Sequence, residues 1–437
     1  MPAPKRRPPC RRVAVVGAGW AGLAAAVEAR TRGAQVTLYE MAPAAGGRAR
    51  SAAGAAAQAG TTPRDNGQHI LIGAYTDTLA LMRRVGADPE RLLWRGPLAL
   101  CTPDGHGLRL PAGAPVPAFV RGVLAARGWP LAARLALLRA AGGWLLRGFR
   151  CAPGTSVSAL CRGLPASIQH DLIEPLCVAA LNTPMAQASA TVFLRVLRDA
   201  LFSGPGGADL LLPRAPLSAL LPTPALAWLQ AQGATLHLGR RVQALAADGA
   251  GWQVDGEAFD GVVLACNSTE AARLCATLAP PWSAAAAALP HEPIITVWLH
   301  QAGLQLPQPM LALAADAQAP AQFVFDLGAL GLAPGEFAFV VSGAAPWVAH
   351  GLSATGAAVL AQARLAFPGA FSGPQAQVQR AIAAERRATF ACTPGLQRPP
   401  AAVAPGLVAA GDYVQGPYPA TLEAAVRAGL AAARQLC

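Results

Sequence analysis

An α/β fold built on a dinucleotide-binding βαβ unit is predicted by three observations. The apolar run Val13–Val16 meets Gly17-x-Gly19-x-x-Gly22, an alanine-rich helical pattern follows, and a second strand pattern, Gln35–Tyr39, ends on the acidic Glu40. Strand, tight turn, helix and parallel strand stand in the order such a unit requires. Gly17 permits the turn, Gly19 lets the backbone approach a pyrophosphate, and Gly22 lets the helix lie close on the strand. The phosphates then face the open N–H groups of a helix N-terminus. Glu40 is placed to accept hydrogen bonds from ribose hydroxyls, and a carboxylate there disfavours a 2′-phosphate. FAD or NAD therefore fits better than NADP. A glycine-rich turn in an ordinary sheet would not need this surrounding order.

At 437 residues the chain can bury a large core, and two domains are a better expectation than one. Hydrophobic residues make up 53% and charged residues 13%, with mean hydropathy +0.35. That is apolar for a soluble protein, although abundant alanine inflates the figure. The longest uncharged stretches, such as 215–239, are broken by Pro216, Pro222 and Pro224, so no membrane-spanning helix is expected. The basic start, with Lys5, Arg6, Arg7, Arg11 and Arg12, leads directly into the first strand. A cleaved signal is not expected, and a cytoplasmic protein is. Nine cysteines without C-x-x-C or other ligand spacing read as reduced packing residues, and no metal site is expected. A net charge of +12 suits nucleic acid, an anionic membrane or an acidic ligand. Nothing resembles a nucleic-acid-binding motif, so no nucleic-acid partner is expected and the membrane surface takes the greater weight.

Along the chain, 51–62 is alanine- and glycine-rich and reads as a loop. Asp65-Asn-Gly-Gln-His69 then runs into an apolar strand ending at Gly73. On composition alone a polar turn before a buried strand explains it equally well. Residues 75–85 have helical periodicity, with Leu79, Met82 and Val85 on one side. Residues 117–150 carry Arg121, Arg127, Arg134, Arg139, Arg147 and Arg150, no acid, and Trp129, Trp144 and Phe149 among many aliphatics. Basic, helical and aromatic-tipped is the pattern of a segment lying in a membrane interface. Two buried helices of a lid with solvated arginines is the alternative. Residues 151–213 read as helices of a substrate cap interrupted by Glu174, Asn182 and Thr183, the last two being candidates for a helix cap. The nucleotide fold resumes near Leu236, with strand patterns at 237–245, 252–254 and 259–266. Further strands at 294–300, 323–326 and 337–342 and a helix at 352–367 suggest a sheet-based substrate domain. At the end, a buried strand reaches Gly411-Asp412, a proline-rich turn follows, and a helix starts near Ala420 or Thr421.

Gly46-Gly47-Arg48, just after the second strand, resembles the second glycine motif of the flavin amine oxidase and phytoene desaturase superfamily. That resemblance implies FAD. It implies that the two glycines lie against the diphosphate, that Arg48 offsets its charge, that the backbone of Val242 sits near adenine, that Gly411-Asp412 binds the ribityl chain, and that the helix start at Thr421-Leu422 points at the flavin pyrimidine edge. Asp65-Asn-Gly-Gln-His69, Glu174-Pro-Leu, Ala180-Leu-Asn-Thr183, Asp209-Leu-Leu-Leu-Pro213 and Pro419-Ala-Thr-Leu-Glu423 narrow the likeness further. Together they resemble the squalene-associated FAD-dependent desaturase family of hydroxysqualene dehydroxylases. Ala425 and Ala428 depart from the glycine and serine common in the superfamily's last helix.

The resemblance implies the following organisation. A Rossmann-like FAD-binding domain occupies 12–75, 233–285 and 396–437, and an interleaved α+β substrate domain occupies 76–232 and 286–395, with the helical, membrane-associating segment inside its first part. It implies reductive removal of the hydroxyl of hydroxysqualene in squalene and hopanoid synthesis, by an enzyme peripheral on the inner face of the cytoplasmic membrane and reduced by an unidentified electron donor. Such chemistry needs a proton donor, a dry apolar tunnel and a hydride source. Asp65 and His69 are the first candidates for the donor, then Tyr418. A carotenoid or phytoene desaturase would run the hydride the other way. A non-catalytic FAD-containing carrier of prenyl lipids is the alternative from another class.

Overall fold

The computed structural model describes residues 11–51, 64–202, 204–249 and 251–437. The loop expected at 51–62 lies outside them except for Ser51. The chain opens with β1 (Arg12–Val16), α1 (Trp20–Thr31) and β2 (Gln35–Glu40). After α2 (Thr76–Arg84) come α3 (Pro115–Ala125) and α4 (Leu131–Leu146), then α5 (Glu174–Leu181) and α6 (Ala190–Leu201). β3 (Thr235–Leu238) and β4 (Gly261–Leu264) follow. Five longer-range strands come next: β5 (His291–His300), β6 (Met310–Ala312), β7 (Phe323–Asp326), β8 (Glu336–Val341) and β9 (Gln379–Phe390). The chain closes with β10 (Ala402–Ala404), β11 (Leu407–Ala409) and α7 (Leu422–Leu436).

The nucleotide layer is a six-stranded sheet in the order β10-β11-β4-β1-β2-β3. β1 pairs in parallel with both β2 and β4, Val13 lying opposite Val36 on one side and Gly261 on the other. Only β10 runs antiparallel, against β11. Its inner strands are apolar throughout because helices cover the sheet, as parallel sheets require. α1 and α7 pack so tightly that a Cβ on Gly429 would sit 2.1 Å from the Ala21 carbonyl oxygen.

Two expected strands are broken by the structure. The run 237–245 leaves the sheet at Gly239, whose φ is +71°; its N–H and that of Arg240 donate to the carbonyls of Ala42 and Glu40. Val242 therefore lies on a connector before a separate strand at Leu245–Asp248. The run 259–266 splits at Asp260, whose amide donates to the Arg12 carbonyl. Phe259 ends a strand of a three-stranded antiparallel sheet, and β4 begins at Gly261.

The second large sheet is antiparallel, in the order β6-β7-β8-β5-β9. Strand alternation sends its residues to two cores. Val297, Leu299, Phe337 and Phe339 pack on the helix Leu352–Ala366, whereas Met310, Phe323, Phe325 and Val340 join the core shared with α3 to α6. The expected boundary at 75/76 falls inside one packed unit: Leu79, Leu81 and Met82 of α2 share a core with Val13, Val15 and Leu38, as do Leu211, Leu217 and Leu229.

The basic segment forms α3 and α4, but its aromatic residues are not at the surface. Trp129, Trp144 and Phe149 are buried, because they occupy the inward stripe of the hairpin, and the Trp129 indole donates to Asp171 at 3.1 Å. Arg134 is also turned inward, its guanidinium donating to the carbonyls of Leu124 and Trp129 across the helix-helix turn. Among the described residues, no helix is long and apolar enough to cross a membrane.

Candidate functional site

One cavity of about 1110 Å³ runs from the β1–α1 turn to the antiparallel sheet. Its nucleotide end is made by backbone. Gly17, at φ +105°, donates to the Tyr39 carbonyl at 2.7 Å, and a Cβ there would meet the Ala265 backbone at 2.7 Å. A Cβ on Gly22 would stand 1.8 Å from the Gly17 oxygen. Gly19 differs from both. It caps α1 without a side chain, and a Cβ there would meet nothing nearer than the Gly47 Cα at 3.9 Å. Its open side faces the cavity, beside the unpaired amides of the first helical turn.

The two glycine motifs lock together. Gly46 (φ +114°) donates to the Ala18 carbonyl at 2.8 Å, and Gly47 (φ +59°) lies against Gly19. Glu40, buried at the end of β2, accepts from the amides of Ala18 (2.7 Å) and Ala42 (2.8 Å). Each carboxylate oxygen keeps a further lone pair for a ribose hydroxyl. Val242, expected near adenine, is buried at the cavity wall, and its carbonyl accepts from Arg273 at 2.7 Å. Asn267 caps the next helix and, with Glu270, lines the cavity.

Arg48 sits differently from the expectation that it balances a diphosphate alone. Its guanidinium donates to both oxygens of Asp412 at 2.6 Å and to the Ala388 carbonyl at 2.6 Å. Burial works against its charge, but the Asp412 carboxylate outweighs this and raises its pKa. The two residues expected at the cofactor, from opposite ends of the chain, are thus each other's partners, and both line the cavity. The proline-rich turn after Asp412 is held by Arg398, which donates to the carbonyls of Asp412 (3.2 Å) and Tyr418 (2.9 Å) and to that of Gly416. α7 then starts into the cavity, with Thr421 capping it through the Ala424 amide and Leu422 as its first residue.

The three candidate proton donors have three different fates. Asp65 does not line the cavity. Its Oδ1 accepts from the Ser51 hydroxyl (2.7 Å) and the Leu217 amide (3.0 Å), tying the loop to the segment after residue 213. Burial raises its pKa to about 6 against the effect of those two bonds. The structure places Asp65, expected as a donor, outside the cavity lining, its Oδ1 held by a hydroxyl and a main-chain amide. His69 does line the cavity, with Nδ1 3.2 Å from the Gly67 carbonyl. Burial, helped by Arg48, lowers its pKa to about 4. At neutral pH the imidazole is uncharged, donates through Nδ1 to Gly67, and offers Nε2 as an acceptor.

Tyr418 is the third, and it sits in a charged cluster absent from the sequence reading. Its hydroxyl donates to Asp199 at 2.7 Å and receives from Arg427 (2.6 Å) and Arg195 (2.9 Å). The two guanidiniums lie over its ring, 4.8 and 5.1 Å from the centroid. Burial and the bond to Asp199 raise the phenol pKa, while both arginines act the other way. Arg195 and Asp199 stand four residues apart on α6, a charge pair inside an apolar helix. That pair was the only local signal for the cluster.

Beyond these residues the wall becomes apolar: Leu176 and Leu197 from α5 and α6, Leu100, and Met310, Phe323 and Val340 from the antiparallel sheet. Asn182, which closes α5 with φ +47°, fastens that wall by bonds to Thr389, the Glu292 carbonyl and the Gly343 amide. The volume lies just above the roughly 300–1,000 Å³ usual for one small ligand. Among the described residues no cluster of His, Cys, Asp or Glu suits a metal ion.

The glycine cradle, the carboxylate at the end of β2, and two helix N-termini opening on the same cavity fit FAD. They define an FAD-dependent oxidoreductase. Residues 20–303 match the family of flavin containing amine oxidoreductases, and the chain belongs to that family. Over 97% of its length the chain is 29% identical to 97% of a hydroxysqualene dehydroxylase from Sinorhizobium fredii. A second hydroxysqualene dehydroxylase, from Rhodopseudomonas palustris, is also 29% identical, over 96% of this chain and 97% of its own. Similarity to the zeta-carotene desaturase of Zea mays, 34% identical, covers 26% of this chain and 21% of that one. Among solved structures, an oxidoreductase from Methanosarcina mazei superposes with TM-score 0.72 at 16% identity, covering 97% of this chain and all of that one. Cyclohexylamine oxidase from Brevibacterium oxydans gives 0.67 at 18% identity, over 98% and 99%. At these identities the structural likeness speaks for the fold alone.

Proposed function

We propose that the enzyme reductively removes an allylic hydroxyl from a C30 prenyl alcohol, converting hydroxysqualene to squalene. The observation that carries this reading is one cavity joining an FAD cradle to an aliphatic and aromatic wall. Likeness to hydroxysqualene dehydroxylases over nearly the whole chain supports it. The balance is C–OH plus hydride plus proton giving C–H plus water. Reduced FAD, when bound, supplies the hydride.

The chain's residues supply the rest. The apolar wall binds the prenyl chain and keeps water from the carbon that loses its hydroxyl. Neutral His69, with Nδ1 committed to Gly67, accepts the substrate hydroxyl's proton in a hydrogen bond at Nε2 and so orients it. Tyr418, its O–H turning from Asp199 to the substrate, then protonates the departing oxygen. The two guanidinium N–H groups on the phenol oxygen hold the charge left behind, and Asp199 keeps the ring in register. The same reading places the protein in the cytoplasm at the inner face of the membrane, with electrons arriving from a separate donor.

The test is anaerobic incubation of dithionite-reduced enzyme with hydroxysqualene, following product mass and flavin oxidation. Squalene formed in step with flavin oxidation is expected. Tyr418→Phe should slow this step by about 100-fold or more while keeping its FAD. No turnover of hydroxysqualene, with flavin reduction by phytoene or a related polyene instead, would move the assignment to a desaturase.

A further inference from the structure

We propose that α3, α4 and the turn between them form a docking surface for an anionic lipid bilayer, entered by aliphatic side chains and gripped by arginines. The inference rests on the membrane-peripheral part of the reading above and not on its chemistry.

The large exposed aliphatics of the described chain gather here. Val116 and Leu124 of α3 and Leu131, Leu135, Leu145 and Leu146 of α4 are exposed, with Leu146 at 90%, Leu131 at 61% and Leu135 at 53%. Elsewhere the exposed large aliphatics are Met41, Leu238, Leu352 and Leu365. α4 is apolar on two opposite stripes. Ala133, Leu137, Ala141 and Trp144 face the protein, while Leu131, Leu135 and Leu146 line the far side with Arg139 between them. A helix apolar on both sides belongs between two apolar media. The fold supplies only one of them.

Charge names the other. No acidic residue occurs between Asp104 and Asp171. Arg121, Arg127, Arg139, Arg147 and Arg150 are exposed around the aliphatics, and none makes an ion pair among the described residues. Arginines at the rim of an apolar face suit lipid phosphates, their stems lying along the hydrocarbon boundary. A second copy of the chain is disfavoured, since a two-fold contact would set this uniformly positive face against itself.

The surface also lies directly over the site. A small apolar void of about 20 Å³ is walled by Phe119, Leu137 and Trp144 from the hairpin and by Leu100, Leu176 and Leu197, which also line the main cavity. One layer of side chains separates the docking helices from the prenyl wall. Apolar side chains thus continue from the docking helices to the cavity wall.

The experiment is sedimentation of the full-length FAD-loaded enzyme with phosphatidylcholine vesicles, with and without phosphatidylglycerol. Wild type should bind the anionic vesicles and be released by salt. Leu131→Gln/Leu135→Gln/Leu146→Gln should bind at least tenfold more weakly with FAD content unchanged, as should Arg139→Gln/Arg147→Gln. The control Leu352→Gln/Leu365→Gln, at exposed leucines elsewhere, should bind as wild type. Undiminished binding by the two hairpin variants would overturn the proposal. So would a concentration-dependent dimer in vesicle-free solution that the leucine variant abolishes, because the face would then join two copies. Turnover is read separately. If no variant turns over hydroxysqualene in detergent, the dehydroxylase reading fails while the vesicle result stands.

Discussion

The two ends of the cavity are built from different material. The FAD end is largely backbone: Gly17 and Gly22 with no room for a Cβ, amides at two helix N-termini, and the Glu40 carboxylate bonded to main-chain amides. The prenyl end is side chain, gathered from α5, α6 and three strands of the antiparallel sheet. A site made of backbone is specified by a few positions that admit one residue. A wall made of packed side chains is specified by volume, which many residues can fill.

That contrast can be broken most sharply at Gly22. Gly22→Ala puts a Cβ 1.8 Å from the Gly17 oxygen, so we expect little folded protein and a flavin-to-protein absorbance ratio near zero. A normally loaded protein would show that the turn can shift and that the cradle is not so rigid.

The next largest effect is expected at the ion pair joining the two halves of the cradle. Arg48→Gln leaves the Asp412 carboxylate unpaired with its side chain 8% exposed, whereas Asp412→Asn leaves an arginine 39% exposed. The first should cost about 2 kcal/mol, discounted from the value for a fully buried pair, and the second less. Thermal unfolding of both variants decides this. Equal losses would mean the pair acts through FAD and not through the protein.

A subtler comparison sets Asp65 against His69. Asp65 is raised from 3.8 to about 6, so its contribution to stability is present below pH 4 and lost as pH rises toward 6. His69 is lowered from 6.5 to about 4, so its contribution is present above pH 6.5 and lost as pH falls toward 4. The two slopes oppose each other in the wild type. Asp65→Asn should therefore make Tm rise with pH across this window, and His69→Gln should make it fall. Parallel profiles for both variants would refute the assignment. The smallest effect is expected on the prenyl wall, where Leu197→Met keeps volume and should cost less than about 1.5 kcal/mol with FAD content intact.

The same division explains what could be read from sequence. The turn at Gly17, the second motif at Gly46-Gly47 and the cap at Thr421 are local patterns whose geometry follows from neighbours a few residues away. The breaks at Gly239 and Asp260 were not read, because the hydrogen bonds that end the strands go to Ala42 and Arg12, some two hundred residues away in the chain. That Asp65 turns away from the cavity could not be read, because a motif gives proximity in the chain and not the direction of a side chain. The Arg195–Tyr418–Arg427 cluster was invisible since tertiary packing alone brings α6 against the start of α7. Periodicity located α4 as a helix but could not assign its aromatic stripe to the inside, since both stripes are apolar.

The pairing of Arg48 with Asp412 spans 364 positions, and Glu28 of α1 likewise accepts from Arg434 near the end of α7. During translation the first βαβ unit emerges early, yet β4, β11 and the helix that covers α1 leave the ribosome hundreds of residues later. Contacts this distant form slowly, and apolar strands without neighbours are exposed to aggregation meanwhile. The nascent chain therefore carries an unfinished flavin cradle for most of its synthesis. Loading of the cofactor becomes a report that the last helix has arrived.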